Sequence, residues 1–388
     1  MKMHAYIVSA VRTAGGKRNG RLSGRHPVEL AAEVLNAVVA RAGVPPEVID
    51  DVIMGCVTQY GEQSRQIARF AVLASNLPQS VPSVTIDRQC GSSQQAMQFA
   101  AQAVLSGTQD VVIAAGVESM SRVPLGSATN SAQGATPMVQ AIRDRYGVND
   151  FSQFAGAEMI AKKWGFTRDD LDAFGVESHR RAIAATNSGA FQAEIVPITI
   201  TLPDGTQDVH VKDEGIRWDV SPEGMAGVKT VVAGGLITAA TSSQITDGAA
   251  AVVIVSEKAL KEYGLTPIAR IASFTVTAGD PVIMLEEPLY ATDKALKRAG
   301  MAIADIDLFE VNEAFAPVPL AWLKYTGVDP LKMNVNGGAI ALGHPVGASG
   351  AKLMATLVHS LRAKGLKYGL QIMCEGGGQA NVTIVEAL

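Results

Sequence analysis

A covalent catalyst needs a nucleophilic atom held where substrate can reach it, and Cys90 has the local sequence for that. It follows the strand-like Val84-Thr85-Ile86-Asp87 and precedes Gly91-Ser92-Ser93, after which helix-forming residues run on through Gln94, Ala96 and Phe99. A strand-to-helix turn sets the sulfur near the positive end of a helix, which favours thiolate. A free thiol of pKa about 8.5 is only a few per cent ionised at pH 7, so a neighbouring base is also expected. The ordinary alternative for an isolated cysteine is a buried structural thiol, and Cys56, inside the apolar run 52–57, fits that alternative.

Three further stretches offer what such a thiol needs. In Asn336-Gly337-Gly338-Ala339-Ile340-Ala341-Leu342-Gly343-His344-Pro345 the glycines let backbone approach a ligand, and Pro345 pushes His344 away from helical geometry. His344 is therefore a candidate base, against the reading of a surface or structurally bonded histidine. Cys374-Glu375-Gly376-Gly377-Gly378 ends the apolar run 369–373. Its unencumbered N–H groups can face a developing oxyanion, where one donor contributes roughly 3 kcal/mol; a glycine turn between two strands is the alternative. Asn312-Glu313-Ala314-Phe315 follows the apolar run 308–311, and Asn312 either caps a helix beginning at Glu313 or holds a catalytic water through its amide. Together the four stretches supply a nucleophile, a base to activate it, a second acid/base for carbon, and oxyanion donors. That is the set a Claisen-type acyl exchange requires.

Bringing four distant turns together takes a layered scaffold. Short β-branched runs at 52–57, 83–87, 111–115 and 250–255 alternate with helical stretches at 27–41 and 92–105, which argues for α/β architecture with largely buried sheets. Residues 91–120 resemble residues 347–376: a Gly/Ser opening, an Ala-rich helix, a stop at Gly107 or Gly365, then a buried strand. In this comparison Cys374 stands opposite Gly116. Between the halves, residues 121 to about 245 hold a Gly/Ser/Ala-rich loop at 126–134, two helical segments and a turn at Pro203-Asp204-Gly205. That excursion is too long for a simple connection and is expected to cover a site.

Composition narrows the function classes. The chain has 388 residues, 47% of them hydrophobic, enough for a large core spread over two or three domain-sized units. A net charge of −4 argues against a dominant basic field for nucleic acid. Three scattered cysteines, with no C-x-x-C pair, suggest neither a disulfide framework nor structural zinc, and a reducing, cytoplasmic compartment is expected. The chain enters the strand-like stretch 5–10 without a leader pattern, and no run is apolar enough for a bilayer span, so no membrane association is expected. The C-terminal Glu386-Ala387-Leu388 is not the usual peroxisomal tripeptide.

Over essentially its whole length the chain resembles the thiolase family, on the set Cys90-Gly-Ser-Ser, Asn312-Glu-Ala-Phe, Gly337-Gly-Ala-Ile-Ala-Leu-Gly-His344-Pro and Cys374-Glu-Gly-Gly-Gly. The resemblance implies a five-layered αβαβα fold built from two related halves. On this reading residues 1–120 and 246–267 form the N-terminal half, 121–245 an inserted loop domain, and 268–388 the C-terminal half. It further implies a homodimer or homotetramer, acyl-CoA, acetyl-CoA and coenzyme A as substrates, and no metal or permanently bound cofactor. A multienzyme β-oxidation partner also fits. Carried over by motif, Cys90 is acylated, His344 activates it, and Cys374 moves the proton on the α-carbon of acetyl-CoA. One oxyanion site uses His344 with a water held by Asn312; the other uses the N–H groups of Cys90 and Gly376. The stretch Thr241-Ser242-Ser243-Gln244-Ile245-Thr246-Asp247-Gly248 resembles the coenzyme-binding segment, with Ser243 against the pantetheine arm. Arg217 resembles the arginine near the nucleotide end, and Met284 a methionine beside the acyl group.

One departure bears on substrate. Where many short-chain members carry a His-Met or Met-Gly stretch, this chain has Asp150-Phe151-Ser152-Gln153-Phe154. The stretches beginning at Lys17 and Cys56 look most like bacterial degradative thiolases, including those of sterol side-chain breakdown, which points toward a longer or bulkier acyl group. Short-chain acetyl-CoA acetyltransferase activity is the alternative within the family. A decarboxylating ketosynthase would use a second histidine where this chain has Asn312. From another class, a catalytically silent acyl-CoA or lipid binding protein is opposed by the joint presence of Cys90, His344 and Cys374. A papain-like Cys/His hydrolase would leave the second cysteine and the glycine turns without a role.

Overall fold

The computed structural model describes residues 3–130 and 136–388; residues 131–134 of the Gly/Ser/Ala-rich loop lie outside them. Nine strands carry the architecture. The first five are β1 (Ala5–Thr13), β2 (Asp51–Gly55), β3 (Ser83–Ile86), β4 (Val111–Ser119) and β5 (Thr246–Ser256). The remaining four are β6 (Ala269–Ala278), β7 (Leu308–Val311), β8 (Tyr368–Glu375) and β9 (Gln379–Ala387).

Hydrogen-bonded order runs β7-β8-β9-β6-β1-β5-β4-β2-β3, with β1 and β6 joined only through Tyr6–Arg270 and Ile7–Ala269. On either side of that narrow join the pattern repeats. β1 pairs antiparallel with β5, β5 antiparallel with β4, and β4 parallel with β2; β6, β9, β8 and β7 do the same in turn. Even the irregularity is shared, for the ladder slips between Ile7 and Ser9 in one half and between Ile271 and Ser273 in the other. A bulge adds local twist and is a specific feature of a strand rather than noise, so its recurrence marks a duplication.

Both faces of each sheet are covered, and this is why β4, β5 and β8 are continuous apolar runs without alternation. Helix Pro27–Ala42 packs on one outer face and helix Glu287–Ala299 on the other. Between the sheets lie helices Ser92–Ser106 and Ser349–Lys364, in contact with each other. The layers are thus αβαβα, as the resemblance implied. The central pair approach closely because Gly350 lacks a side chain: a Cβ there would lie 2.2 Å from the Gln94 amide nitrogen. Both central helices end at left-handed glycines, Gly107 and Gly365, the stops anticipated in the repeat.

The segment after β4 contains helices Gln153–Trp164 and Arg168–Asn187 and a hairpin, Ile198–Thr201 with Gln207–His210. It is tied to the scaffold through Arg12 of β1, fully buried, which pairs with Glu194 at 2.6 Å and Asp213 at 2.8 Å.

Candidate active site

Cys90 emerges from the end of β3 one residue before Gly91, which caps helix Ser92–Ser106. Ser92 makes this turn by accepting from the Arg88 amide at 2.9 Å and donating to the Gln89 carbonyl at 2.6 Å. Gln89 is held at φ 47°, in the left-handed region that a residue with a side chain seldom occupies. Strain placed immediately before a half-buried thiol fits a site that is over-determined by its surroundings.

The β8 turn closes on Cys90 from the C-terminal half. Asn381 Nδ2 donates to the Gly91 carbonyl at 3.2 Å, and a side chain on Gly376 would come within 2.9 Å of Gln89 Oε1. Glu375 packs against the Gly91 backbone, and Cys90 and Cys374 interact electrostatically. A helix terminus favours thiolate, but enclosure opposes it here. Enclosure, followed by the proximity of Cys374 and Glu375, pushes the Cys90 thiol up, while enclosure pushes Cys374 up to about 12. Both cysteines therefore rest as thiols, and ionising either requires a base in the reaction itself.

Asn312 belongs to this cluster through its amide. Its Nδ2 donates to Cys374 Sγ at 3.8 Å, while its Oδ1 is buried without a hydrogen-bond partner. No helix begins at Glu313, so the capping alternative fails; the next helix is Pro317–Thr326. Residues 312–316 form no helix and instead bond to a distant segment. The Ser243 amide donates to the Ala314 carbonyl at 2.9 Å and the Ala316 amide to the Thr241 carbonyl at 2.8 Å. Glu313 fixes the other side, accepting from Ser178 Oγ at 2.7 Å, Asn334 Nδ2 at 2.9 Å and the Ile340 amide at 3.1 Å. It thereby locks the Asn312 stretch to the glycine-rich run leading to His344.

His344 is buried, and its amide donates to Thr246 Oγ1 at 3.0 Å. The following turn is wedged against the start of the Cys90 helix: Gly347 O would lie 2.7 Å from a Cβ on Gly55, a position also crowded by Ser92 and Ser93. The Ala351 amide donates to Ser93 Oγ at 2.9 Å. His344 Nδ1 lies 2.5 Å from Ser349 Oγ, and that hydroxyl donates to the Pro345 carbonyl at 2.9 Å. A hydroxyl has one proton, so with it committed to Pro345 the oxygen accepts from Nδ1–H. The tautomer that follows carries its lone pair on Nε2, which is buried without a partner. Burial, with the Lys352 charge second, lowers the His344 pKa to about 3, so the imidazole is neutral.

The three remaining candidates lie on elements linked to this cluster. Ser243 is half-buried beside Ala314. Arg217 is exposed, its amide receiving support from His179 Nδ1 at 3.1 Å. Two residues before it, the Gly215 carbonyl accepts from Gln244 Nε2 at 2.7 Å, so its turn adjoins Ser243. Met284 is buried at φ 57° in the loop after β6, beside Gly156 of helix Gln153–Trp164. Ser349, Glu313 and Lys352 were not among the candidates. Only the spacing of Ser349, five residues past His344, and the adjacency of Glu313 to Asn312 could have pointed to two of them.

The thiolase N-terminal domain family matches residues 5–258 and the thiolase C-terminal domain family residues 265–387. The chain belongs to the thiolase family and is an acyltransferase. It is 51% identical to a steroid 3-ketoacyl-CoA thiolase of Mycobacterium tuberculosis, across 99% of this chain and 94% of that one. It is 41% identical to an acetyl-CoA acetyltransferase of Cupriavidus necator, across 98% of each. Among solved structures, Bacillus anthracis acetyl-CoA acetyltransferase superposes with a TM-score of 0.92 at 37% identity, covering 100% of this chain and 99% of that one. Human mitochondrial 3-ketoacyl-CoA thiolase does so at 0.90 and 35%, with the same coverage.

Proposed function

We propose that the protein cleaves 3-ketoacyl-CoA thioesters by a Cys90 acyl-enzyme. The carrying observation is the Asn312–Cys374 contact beside Cys90, in a cluster where His344 Nε2 and Asn312 Oδ1, atoms of two residues with roles in the reaction, are among the buried polar atoms without a partner. His344 Nε2 takes the Cys90 proton as the sulfur attacks the 3-keto carbon. The C2–C3 bond then breaks, its electron pair passes to the α-carbon, and the Cys374 thiol protonates that carbon to release acetyl-CoA. Free coenzyme A, giving its proton to the Cys374 thiolate, attacks the acyl-Cys90 thioester. Collapse expels the Cys90 thiolate, which recovers its proton from His344. Oxyanion donors are the Cys90 and Gly376 N–H groups on one side, and His344 with a water on Asn312 on the other. Ser243 and Arg217 contact the coenzyme, and Met284 lines the acyl pocket.

The steroid thioester named for the 51% identical relative supports a bulky 3-ketoacyl group here over acetoacetyl-CoA. The Asp150-to-Phe154 departure supports the same choice, since Phe154 lies edge-on to Phe315, with ring centroids 5.3 Å apart, beside the Asn312 stretch. We place the protein in the cytoplasm as a homodimer or homotetramer serving β-oxidation, with residues 121–245 as a loop domain over the site. Among the described residues no helix is long and apolar enough to cross a membrane.

The test compares thiolysis of acetoacetyl-CoA, a medium-chain and a steroid 3-ketoacyl-CoA by the wild type and by Cys90→Ser. The expected result is a kcat/KM favouring the bulkier substrates and a loss exceeding about 10³-fold in the variant. Retention of thiolysis by Cys90→Ser would refute the assigned nucleophile.

A further inference from the structure

Lys352 is 4% exposed, in the first turn of the central helix Ser349–Lys364. Burying an ammonium is costly, and a methionine or leucine would fill the same space without that cost. What the ammonium does with its protons is specific: Nζ donates to the Leu342 carbonyl at 2.5 Å and the Gly343 carbonyl at 2.8 Å. These are the two residues immediately before His344. Among the described residues Lys352 forms no ion pair within 4 Å. One turn further along the same helix, Thr356 Oγ1 donates to Glu194, which pairs with Arg12; Arg12 in turn pairs with Asp213.

We propose that Lys352 is a positioning residue for the base, its buried ammonium holding the turn that carries His344 by two carbonyls. This rests on the assignment of His344 as base and deepens it. Every charged group facing Lys352 enters the argument. Arg12 comes from β1, Glu194 from the turn after helix Arg168–Asn187, Asp213 from the loop after the hairpin, and Glu310 from β7. Burial, together with Glu313 and Glu194, raises Glu310 well above the usual carboxylate range. Lys352 and Arg12 are then balanced by Glu194 and Asp213. A protonated His344 would add a third cation to a balanced interior, and it faces Lys352 more directly than it faces either anion.

The sign of the effect follows. The Lys352 charge, which burial allows to titrate at about 8, disfavours imidazolium below that pH, so removing it raises the His344 pKa, while burial, the larger cause, still holds it below the ordinary value of about 6.5. Holding the carbonyls and supplying the charge are separable. Lys352→Gln keeps amide donors without charge, and Lys352→Arg keeps charge with altered shape.

The experiment measures kcat and KM for thiolysis from pH 5.5 to 9 in the wild type and both variants. In parallel, histidine Cε1–H resonances are followed by NMR, with His344 assigned through His344→Asn. We expect the wild-type His344 resonance to stay fixed down to pH 5.5. In Lys352→Gln the His344 titration, followed by NMR down to pH 3.5, moves up by about one pH unit, and at neutral pH kcat falls about ten-fold with KM within about two-fold. Lys352→Arg retains the wild-type titration and kcat. A Gln profile superimposable on wild type, or an Arg variant as displaced as Gln, would overturn the proposal. If Lys352→Gln does not fold, a wild-type His344 resonance titrating near the ordinary histidine value overturns it alone. Absence of thiolysis by the wild type would count against the proposed function while leaving the NMR reading of Lys352 intact.

Discussion

Strand β4 ends in Gly116-Val117-Glu118-Ser119 and its counterpart β8 in Cys374-Glu375, and Glu118 and Cys374 are treated in opposite ways. Glu118 is fully buried, and its carboxylate accepts from the Val57 amide at 2.9 Å, the Thr58 amide at 3.0 Å, Gln63 Nε2 at 2.9 Å and the Gly347 amide at 3.0 Å. Cys374 receives one long contact from Asn312, whose own oxygen has no partner. A satisfied polar group holds structure; an unsatisfied one retains capacity to bond something that arrives. Through Gly347, the satisfied end in the first half anchors the turn of the second half that carries His344. Duplication therefore produced one strand end that fastens and one that reacts.

The largest expected effect comes from emptying the reactive end. Cys374→Ala removes the acid that protonates the α-carbon, so carbon–carbon cleavage falls by about 10²- to 10⁴-fold. Cys90 has its own base, so transfer of an acyl group from a simple acyl-CoA to Cys90 persists. Steady-state thiolysis and intact-mass detection of the acyl adduct read the two steps separately. Loss of both would mean that Cys374 shapes the site rather than moving a proton within it.

Asking the fastening end to resemble the reactive one should cost stability. Gly116 stands opposite Cys374 in the repeat, and a Cβ there would lie 2.4 Å from the Gly347 carbonyl and 2.7 Å from both Ala348 Cα and Ser93 Cβ. Gly116→Ala is expected to destabilise the fold by about 2–3 kcal/mol, measured as a lowered urea midpoint. The first half thus has no room for a second thiol at this position. An unchanged midpoint would show that the two central helices can separate, which their packing argues against.

How far this contrast was legible in the sequence depends on how local each cause is. Cys90, His344, Cys374 and Asn312 stood out because reactive side chains beside Gly-rich turns are a local pattern; alternating apolar runs and the repeated Gly-stopped helix pointed to α/β architecture in two halves, and the five layers came with the family resemblance. The helix expected at Glu313 does not form because Ala314 and Ala316 pair with Thr241 and Ser243, about seventy residues away, leaving Pro317 as the first helical residue. The rise of the Cys90 pKa has a similarly non-local cause. A helix terminus is visible in sequence, whereas enclosure by Cys374 and Glu375 exists only after the halves meet. Glu118 and Lys352 read as ordinary strand and helix residues because the groups they hold lie in segments remote in sequence or on another turn.

A subtler change tests the tautomer. Ser349→Ala removes the acceptor for His344 Nδ1–H, leaving Nε2 free to carry the proton instead. Thiolysis is expected to fall by about ten-fold in kcat with KM little changed, because the base is mis-protonated part of the time while coenzyme contacts are intact. Ser349→Thr, which keeps the hydroxyl, should recover most of the rate; equal loss in both variants would assign the effect to packing.

The smallest effect is expected at the third thiol. Cys56 is fully buried in the core against helix Pro27–Ala42 and is raised by burial and by the nearby Glu118 carboxylate. It resembles Cys90 in being a thiol next to a strand end, but the nearby Glu118 carboxylate is committed to four hydrogen bonds. Cys56→Ala should therefore change kcat by less than about two-fold and stability by about 1 kcal/mol, the scale of a small lost apolar contact. Iodoacetamide labelling followed by peptide mass sharpens the contrast. Cys90, half-buried and held as a thiol, should alkylate faster as pH rises from 6 toward 9, without the neutral plateau of a pre-formed thiolate–imidazolium pair. Cys56 should stay unmodified until the protein unfolds. A plateau at Cys90 would mean that the neutral pair inferred from its enclosure is wrong, and labelling of folded Cys56 would mean that the fastening end opens far more readily than its saturated hydrogen bonds imply.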